Sequence, residues 1–299
     1  MTPAAGTGDP AGPVRVGSGR PVSVDVAGSG APARFAGSMH ECGLAVLALP
    51  DRLADLAAAI PAEWLDFFGT PAKHAYLAHP GEPGGYFPSR PEDAAAGRDR
   101  KEYFHLRVGG RYPVEVGPAA RDYLTGALRL ARTLLGWLQD GLPAAARPAV
   151  PLDAMVSGAT GSLLRIQHYV PVDRPPAGRL RAAAHQDVNL LTVLPAPSRP
   201  GLQVRDPAGR WRDLPLPPRS AVVNGGLLLQ AATGGHYPAV EHRVRNPPAG
   251  GDRSSRVSLP LFVHPAPDTP IGDGTAAALL RAYVAEQRGH GWRPVPGGR

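Results

Sequence analysis

His185 and Asp187 stand one residue apart in Ala183-Ala184-His185-Gln186-Asp187-Val188-Asn189. In a strand, side chains alternate with period two, so this spacing predicts both on one face. A second imidazole, His242, lies in the strand-like stretch Ala239-Val240-Glu241-His242-Arg243-Val244. Two imidazoles and one carboxylate can occupy one face of an octahedral iron(II) and leave three positions open. Two of those can take a bidentate co-substrate and the third O2. The ligand set leaves the metal with a net charge of about +1, suited to an anionic 2-oxoacid. A His-x-Asp pair by itself is a weak signal. Arg256-Val257-Ser258 adds weight. In a strand these two polar side chains share a face, where a guanidinium can clamp a carboxylate by two parallel hydrogen bonds and the hydroxyl add a third. That arrangement suits the far carboxylate of 2-oxoglutarate, with its 2-oxoacid end on the iron.

The elements that must hold these residues are short. From about Ser162 onward, apolar stretches alternate with Gly, Pro and Asp turns: Leu163–Val170, Ala182–Leu194, Gly201–Arg205, Trp211–Leu214, Ala221–Ala232, Ala239–Arg245 and Arg256–His264. Strands at this spacing predict a sandwich or jelly roll. Upstream, Gly43–Leu49 reads as a buried strand. Asp51–Phe68 has helical spacing, with Asp51 as its N-cap. Residues 69–117, rich in Gly, Pro and aromatics, read as a long irregular lid. Pro118–Gln139 carries an apolar stripe through Tyr123, Leu124, Leu128, Ala131, Leu135 and Leu138, and reads as a helix. Thr275–Gln287 reads as a closing helix. The expected plan is mainly β with flanking helices: a loose tail over residues 1–20, then one domain over 21–299. Within it a helical and lid part covers about 43–150, a jelly-roll core about 160–266 and a final helix about 275–290.

Bulk composition narrows the classes. The chain has 299 residues, 43% of them hydrophobic, enough to bury a sizeable core. Its net charge of +7 invites a nucleic-acid reading. The charge is carried by scattered arginines, with Lys at positions 73 and 101 alone and no basic run, so no nucleic-acid partner is expected. The single cysteine, Cys42, rules out an internal disulfide and a thiolate metal cluster. No segment approaches the roughly 20 apolar residues of a membrane span, and residues 1–13 lack the features of a secretory signal. A cytoplasmic monomer acting on a small molecule is the simplest expectation.

The sequence resembles the iron/2-oxoglutarate oxygenases related to isopenicillin N synthase. The likeness runs over most of the chain and is strongest from Leu164 to Pro265. Its pieces are Arg165-Ile166-Gln167-His168-Tyr169-Val170-Pro171, His185-Gln186-Asp187, Leu190-Leu191-Thr192-Val193-Leu194, Gly201-Leu202-Gln203-Val204, Trp211, Val223-Asn224-Gly225-Gly226, His242-Arg243-Val244 and Arg256-Val257-Ser258. Phe67-Phe68-Gly69-Thr70-Pro71-Ala72-Lys73, Gly85-Tyr86 and Asp99-Arg100-Lys101-Glu102 resemble the family's N-terminal part. The resemblance implies a double-stranded β-helix with Fe(II) at its mouth, 2-oxoglutarate and O2 as co-substrates, and Tyr169 as a further co-substrate contact. It also implies oxidation of a small molecule by hydroxylation, desaturation, cyclisation or epoxidation, in specialised-metabolite biosynthesis of the antibiotic kind. Tyr86, Phe87 and Phe104 are expected in the substrate pocket wall. Three departures stand out: Gln167 where the family carries Asn, Leu227 where it carries Asp, and a short N-terminal region between the Gly43 strand and Phe67, which reshapes whatever covers the pocket. Asp187 argues against a halogenase, which needs that coordination position vacant. Three other readings stay open: a 2-oxoglutarate-independent oxidase of the isopenicillin N synthase kind, a nucleic-acid or protein demethylase on the same fold, and a non-catalytic jelly roll that binds a ligand.

Overall fold

A computed structural model describes residues 21–89, 101–156, 161–171, 180–206, 208–247 and 254–289. The expected tail over residues 1–20 lies outside them. Two sheets face each other across a cleft, and helices cover the outer side of the larger one. The large sheet has the order β1-β2-β10-β7-β13-β5-β4-β3, with β12 also on β5. Its strands are β1 (Ser23–Asp25), β2 (Leu44–Ala48), β3 (Gly85–Phe87), β4 (Lys101–Leu106), β5 (Leu163–Tyr169), β7 (Leu191–Pro195), β10 (Ser220–Gly225), β12 (Arg256–Ser258) and β13 (Leu261–Val263). The small sheet runs β6-β11-β8-β9, from β6 (Leu180–His185), β8 (Leu202–Arg205), β9 (Trp211–Asp213) and β11 (His242–Arg245). This is the predicted jelly-roll architecture.

Both faces of the large sheet are covered, which explains why its strands read as unbroken apolar runs. In β10, every residue is buried. Val223 belongs to the main core on the helix side, while Val222 faces the cleft. The helices on that outer side are α1 (Ala31–Cys42), α2 (Asp51–Gly69) and α3 (Ala119–Gly141). The α3 stripe extends through Tyr123, Leu124, Ala127, Leu130, Ala131, Leu134, Leu135 and Leu138, all buried. Trp64 of α2 packs edge-on to Phe104 of β4 at 5.2 Å between centroids. A separate, smaller cluster of Leu44, Leu202, Val222 and Val240 joins the two sheets across the cleft. A short helix α4 (Leu227–Ala232) and the final helix α5 (Ala276–Gly289) complete the layer.

Several local expectations are corrected. Residues 69–117 are not a wholly irregular lid: β3 and β4 form a hairpin that extends the large sheet through β5. The stretch Ala182–Leu194 is two strands in different sheets, broken at residues 186–190. Ala221–Ala232 is a strand followed by α4. Pro50 takes the N-cap position of α2. Asp51 sits one residue inside, with its carboxylate paired to Arg219 at 2.7 Å. No helix among the described residues is long and apolar enough to cross a membrane.

Candidate metal centre and its cleft

His185 ends β6 and His242 opens β11, and the two are directly opposite in the antiparallel ladder. Their rings stand 4.4 Å apart. Asp187 is beyond the end of β6, not on a continuous strand as its spacing predicted. Its carboxylate nevertheless reaches the same point: Oδ1 lies 3.8 Å from His185 Nε2 and 3.9 Å from His242 Nε2. One ligand atom from each of the three residues falls within 4.8 Å of the others.

The surroundings fix each group in a ligating form. His185 Nδ1 is 2.8 Å from the Ala183 carbonyl and His242 Nδ1 is 3.2 Å from the Val240 carbonyl. A carbonyl only accepts, so each Nδ1 carries the proton and each Nε2 lone pair turns inward. Burial, and then the neighbouring His242, pull the His185 pKa down to about 4, so this imidazole is neutral at physiological pH. Burial pushes the Asp187 carboxyl up, but the two histidines and donation by Thr192 and Asn224 outweigh it, and the net shift is downward. Thr192 donates its hydroxyl to Asp187 Oδ2 at 2.6 Å and Asn224 its amide at 3.0 Å. Asn189 donates in turn to Thr192 at 2.8 Å. A deprotonated carboxylate with one oxygen tied back and the other aimed between two inward-facing Nε2 atoms fits a divalent cation.

Backbone stitches hold the loop that bears Asp187. Gly226 and Leu227 donate to the carbonyls of Leu190 and Asp187, at 3.0 and 2.8 Å. A Cβ on Gly226 would come within 2.3 Å of the Asn189 carbonyl oxygen, so glycine is required for this close approach. Leu227, at the position of the family's Asp, contributes through this backbone N–H, and α4 starts without a side-chain cap.

The triad opens into a cleft lined by both sheets. Arg256 and Ser258 face it from β12, opposite Tyr169 and Gln167 of β5. Arg256 is 1% exposed. Its guanidinium lies 5.0 Å above the Tyr169 ring, and its Nε donates to the Arg199 carbonyl at 3.1 Å. Its Nη1 is buried and has no hydrogen-bond partner among the described residues. Burial is the main cause of its lowered pKa. A buried cation with an unused donor is costly unless an anion arrives to meet it.

The aromatic residues expected in the pocket wall are not among the lining residues. Tyr86 and Phe104 are paired across β3 and β4 on the helix-facing side of the sheet. Phe104 is in the main core, and Tyr86 donates its hydroxyl to buried Glu102 at 2.5 Å. Alternation puts Phe87 on the other face, where it stacks on Tyr103 at 4.9 Å. Side chains that the sequence reasoning did not single out do line the cleft, among them Lys101, Arg165, Thr192 and Asn224.

A jelly roll with two histidines and an aspartate at the mouth of the sheets, and a buried arginine deeper in, defines a class of metal-dependent oxygenase. The family model for the 2OG-Fe(II) oxygenase superfamily matches residues 160–265. A candidate oxygenase from Shewanella oneidensis superposes with a TM-score of 0.80 at 35% identity, covering 89% of this chain and 98% of that one. The chain belongs to the 2OG-Fe(II) oxygenase superfamily. The Neurospora crassa T7H structure with alpha-KG and thymine shares the fold, with a TM-score of 0.73 at 18% identity over 89% of this chain and 97% of that one. Among curated proteins, scopoletin 8-hydroxylase of Arabidopsis thaliana is 28% identical over 162 residues, 54% of this chain and 43% of the relative. Feruloyl CoA ortho-hydroxylase 2 of the same plant is 38% identical over 106 residues, 35% of this chain and 28% of the relative. The matches thus span less than half of these relatives' length.

Proposed function

We propose that the protein is an Fe(II)- and 2-oxoglutarate-dependent oxygenase that oxidises a small organic molecule. The observation that carries this reading is one cleft holding both the His185–Asp187–His242 cluster and Arg256 with its unpartnered Nη1. His185, Asp187 and His242 hold the metal. Arg256 and Ser258 hold the distal carboxylate of 2-oxoglutarate, and Tyr169 supports the Arg256 guanidinium from beneath. Fe(II) with 2-oxoglutarate and O2 supplies the oxidising power, and succinate and CO2 leave as co-products. The protein's share is to keep two Nε2 lone pairs and one carboxylate oxygen converged, to orient the diacid, and to exclude water with apolar walls such as Val222, Val240 and Leu202. Scopoletin and feruloyl-CoA hydroxylases among the relatives support a small-molecule substrate.

The test is anaerobic reconstitution. Fe(II) should bind at 1:1, and adding 2-oxoglutarate should produce a weak visible charge-transfer band. Arg256→Gln should lose the band and weaken 2-oxoglutarate binding by about 10–100-fold, the range for a hydrogen bond to a charged group, while Fe(II) binding persists. Fe(II) binding with no response to 2-oxoglutarate in the wild type would turn the assignment to a 2-oxoglutarate-independent oxidase. No Fe(II) binding would leave a ligand-binding jelly roll.

A further inference from the structure

Arg256 is not the sole guanidinium of the cleft. Along β5, Arg165, Gln167 and Tyr169 alternate onto the cleft side, and all three line it. Arg256 is opposite Tyr169 in the ladder. Arg165 is four residues away, roughly 13 Å along the strand. It lies on the triad side of the cleft: it stacks on Phe262, Phe262 is the ladder partner of Thr192, and Thr192 holds Asp187.

Arg165 is fixed in place, and although it feels the charge of Asp187, no carboxylate among the described residues hydrogen-bonds to it. Its guanidinium is sandwiched between Tyr103 and Phe262, 4.9 Å from each ring centre. Its Nε donates to His105 Nε2 at 2.9 Å. Buried His105 is held neutral, by burial first and then by Arg165 and Arg107, so it offers no negative charge. That contact is the one side-chain hydrogen bond Arg165 makes among the described residues, and none of the ion pairs among them involves it. A guanidinium present merely to offset Asp187 would bond to it. Instead Asp187 Oδ2 is taken by Thr192 and Asn224. The outer edge of the Arg165 fork therefore remains available for a planar, bidentate anion. The cleft beside it is walled by Leu194, Leu202, Val222 and Val240.

We infer that Arg165 is the specificity residue of this cleft and binds the carboxylate of the molecule to be oxidised, an organic acid with an apolar body. The inference rests on the function proposed above, which assigns Arg256 to 2-oxoglutarate and leaves Arg165 for the substrate. Arg165 fixes the acid end, the apolar walls hold the body, and the carbon to be oxidised is presented toward the triad.

The test uses protein loaded anaerobically with Fe(II) and 2-oxoglutarate. The probes are phenylacetate, 3-phenylpropionate, 4-phenylbutyrate and 5-phenylvalerate, each beside its primary amide, with binding read by isothermal titration calorimetry. At least one acid should bind about 10-fold or more tighter than its amide. Arg165→Gln should abolish that preference, and Arg165→Lys should keep part of it. Equal binding of acids and amides, no binding of any acid, or a preference that survives in Arg165→Gln would overturn the inference. The acid–amide comparison in the wild type decides even if Arg165→Gln does not fold. 2-Oxoglutarate binding on the same samples separates the two claims. Its absence in the wild type sinks the proposed function. Its loss in Arg165→Gln makes Arg165 a co-substrate residue and sinks this inference.

Discussion

Asp187 divides its two oxygens between two tasks: Oδ2 is held by Thr192 and Asn224, and Oδ1 faces the imidazoles. Groups that orient a metal ligand commonly carry 10–100-fold in affinity. Thr192→Val and Asn224→Ala should each lower Fe(II) affinity by about 10-fold or more, measured by competition with a chelator, while thermal melting shows an intact fold. Unchanged affinity in both would mean that Asp187 is positioned by backbone alone. A second expectation concerns histidines outside the triad. Burial, then Arg107, holds His264 at about 4, and burial, then Arg165 and Arg107, holds His105 well below 6.5. Both pKa values are depressed on folding, so the unfolded chain binds more protons below pH 6.5. Stability is then highest above about pH 6.5 and falls as the pH drops toward 4. A loss of about 2 kcal/mol would lower the melting temperature of metal-free protein by roughly 4–8 °C. His264→Gln should flatten that slope, and an unaltered pH profile would refute the assignment. At this scale, sequence spacing pointed to the triad and to Arg256 and Ser258, and the fold gathers all five at one cleft. Arg165 was not singled out, although it alternates with Gln167 and Tyr169 along β5. Thr192 was not legible, because its contact with Asp187 closes across a loop that periodicity does not describe.

At the scale of elements, the site depends on where strands stop. The apolar run from Ala182 to Leu194 carries no internal Gly or Pro, so alternation reads straight through it. Yet the chain leaves the small sheet after His185 and enters the large sheet at Leu191. The break at Asp187 is imposed by Gly226 and Leu227 reaching in from the end of β10, a tertiary cause absent from the local pattern. Helix α1 escaped notice for a different reason: its sequence, APARFAGSMHEC, is small and polar, with Phe35 and Met39 its large apolar residues. Tyr86 and Phe104 were misplaced because aromatic content marks burial without saying on which side of a sheet. Once Lys101 is on the cleft, alternation along β4 forces Glu102 and Phe104 to the opposite face. The Gly226 contact makes this testable. Gly226→Ala puts a methyl 2.3 Å from a backbone oxygen of the Asp187 loop, and overpacking of this kind costs roughly 1–3 kcal/mol. It should cut Fe(II) affinity along with stability. Gly136→Ala is the control: it lies within α3 with nothing within 4 Å of the added methyl, and should stabilise by about 0.5–1 kcal/mol. Equal effects of the two changes on Fe(II) affinity would show that the Gly226 approach does not set the site.

Across the whole molecule, the two sheets are unequally supported. The large sheet shares the main core with α1, α2 and α3. The small sheet joins it through the cluster of Leu44, Leu202, Val222 and Val240, with Leu202 in β8 and Val240 just before β11. Protein regions with few buried apolar contacts open at lower free energy than the global unfolding. The small sheet should therefore exchange its backbone amides faster than β10 or α3. The ligand set bridges this divide. His185 and His242 belong to the small sheet, whereas Asp187 is tied to Thr192 of β7 and Asn224 of β10. A metal held by all three would pin one sheet to the other, and a ligand at 100 times its Kd stabilises the state that binds it by about 2.7 kcal/mol. Hydrogen–deuterium exchange on metal-free protein and on protein saturated with Fe(II) without oxygen should show roughly 100-fold slower exchange in β6, β8 and β11 on metal addition, with a smaller change in α3. Asp187→Asn should keep the small sheet's amides close to their metal-free rates. Uniform slowing across both sheets, or slowing that persists in Asp187→Asn, would mean that the metal does not act as a clasp between them.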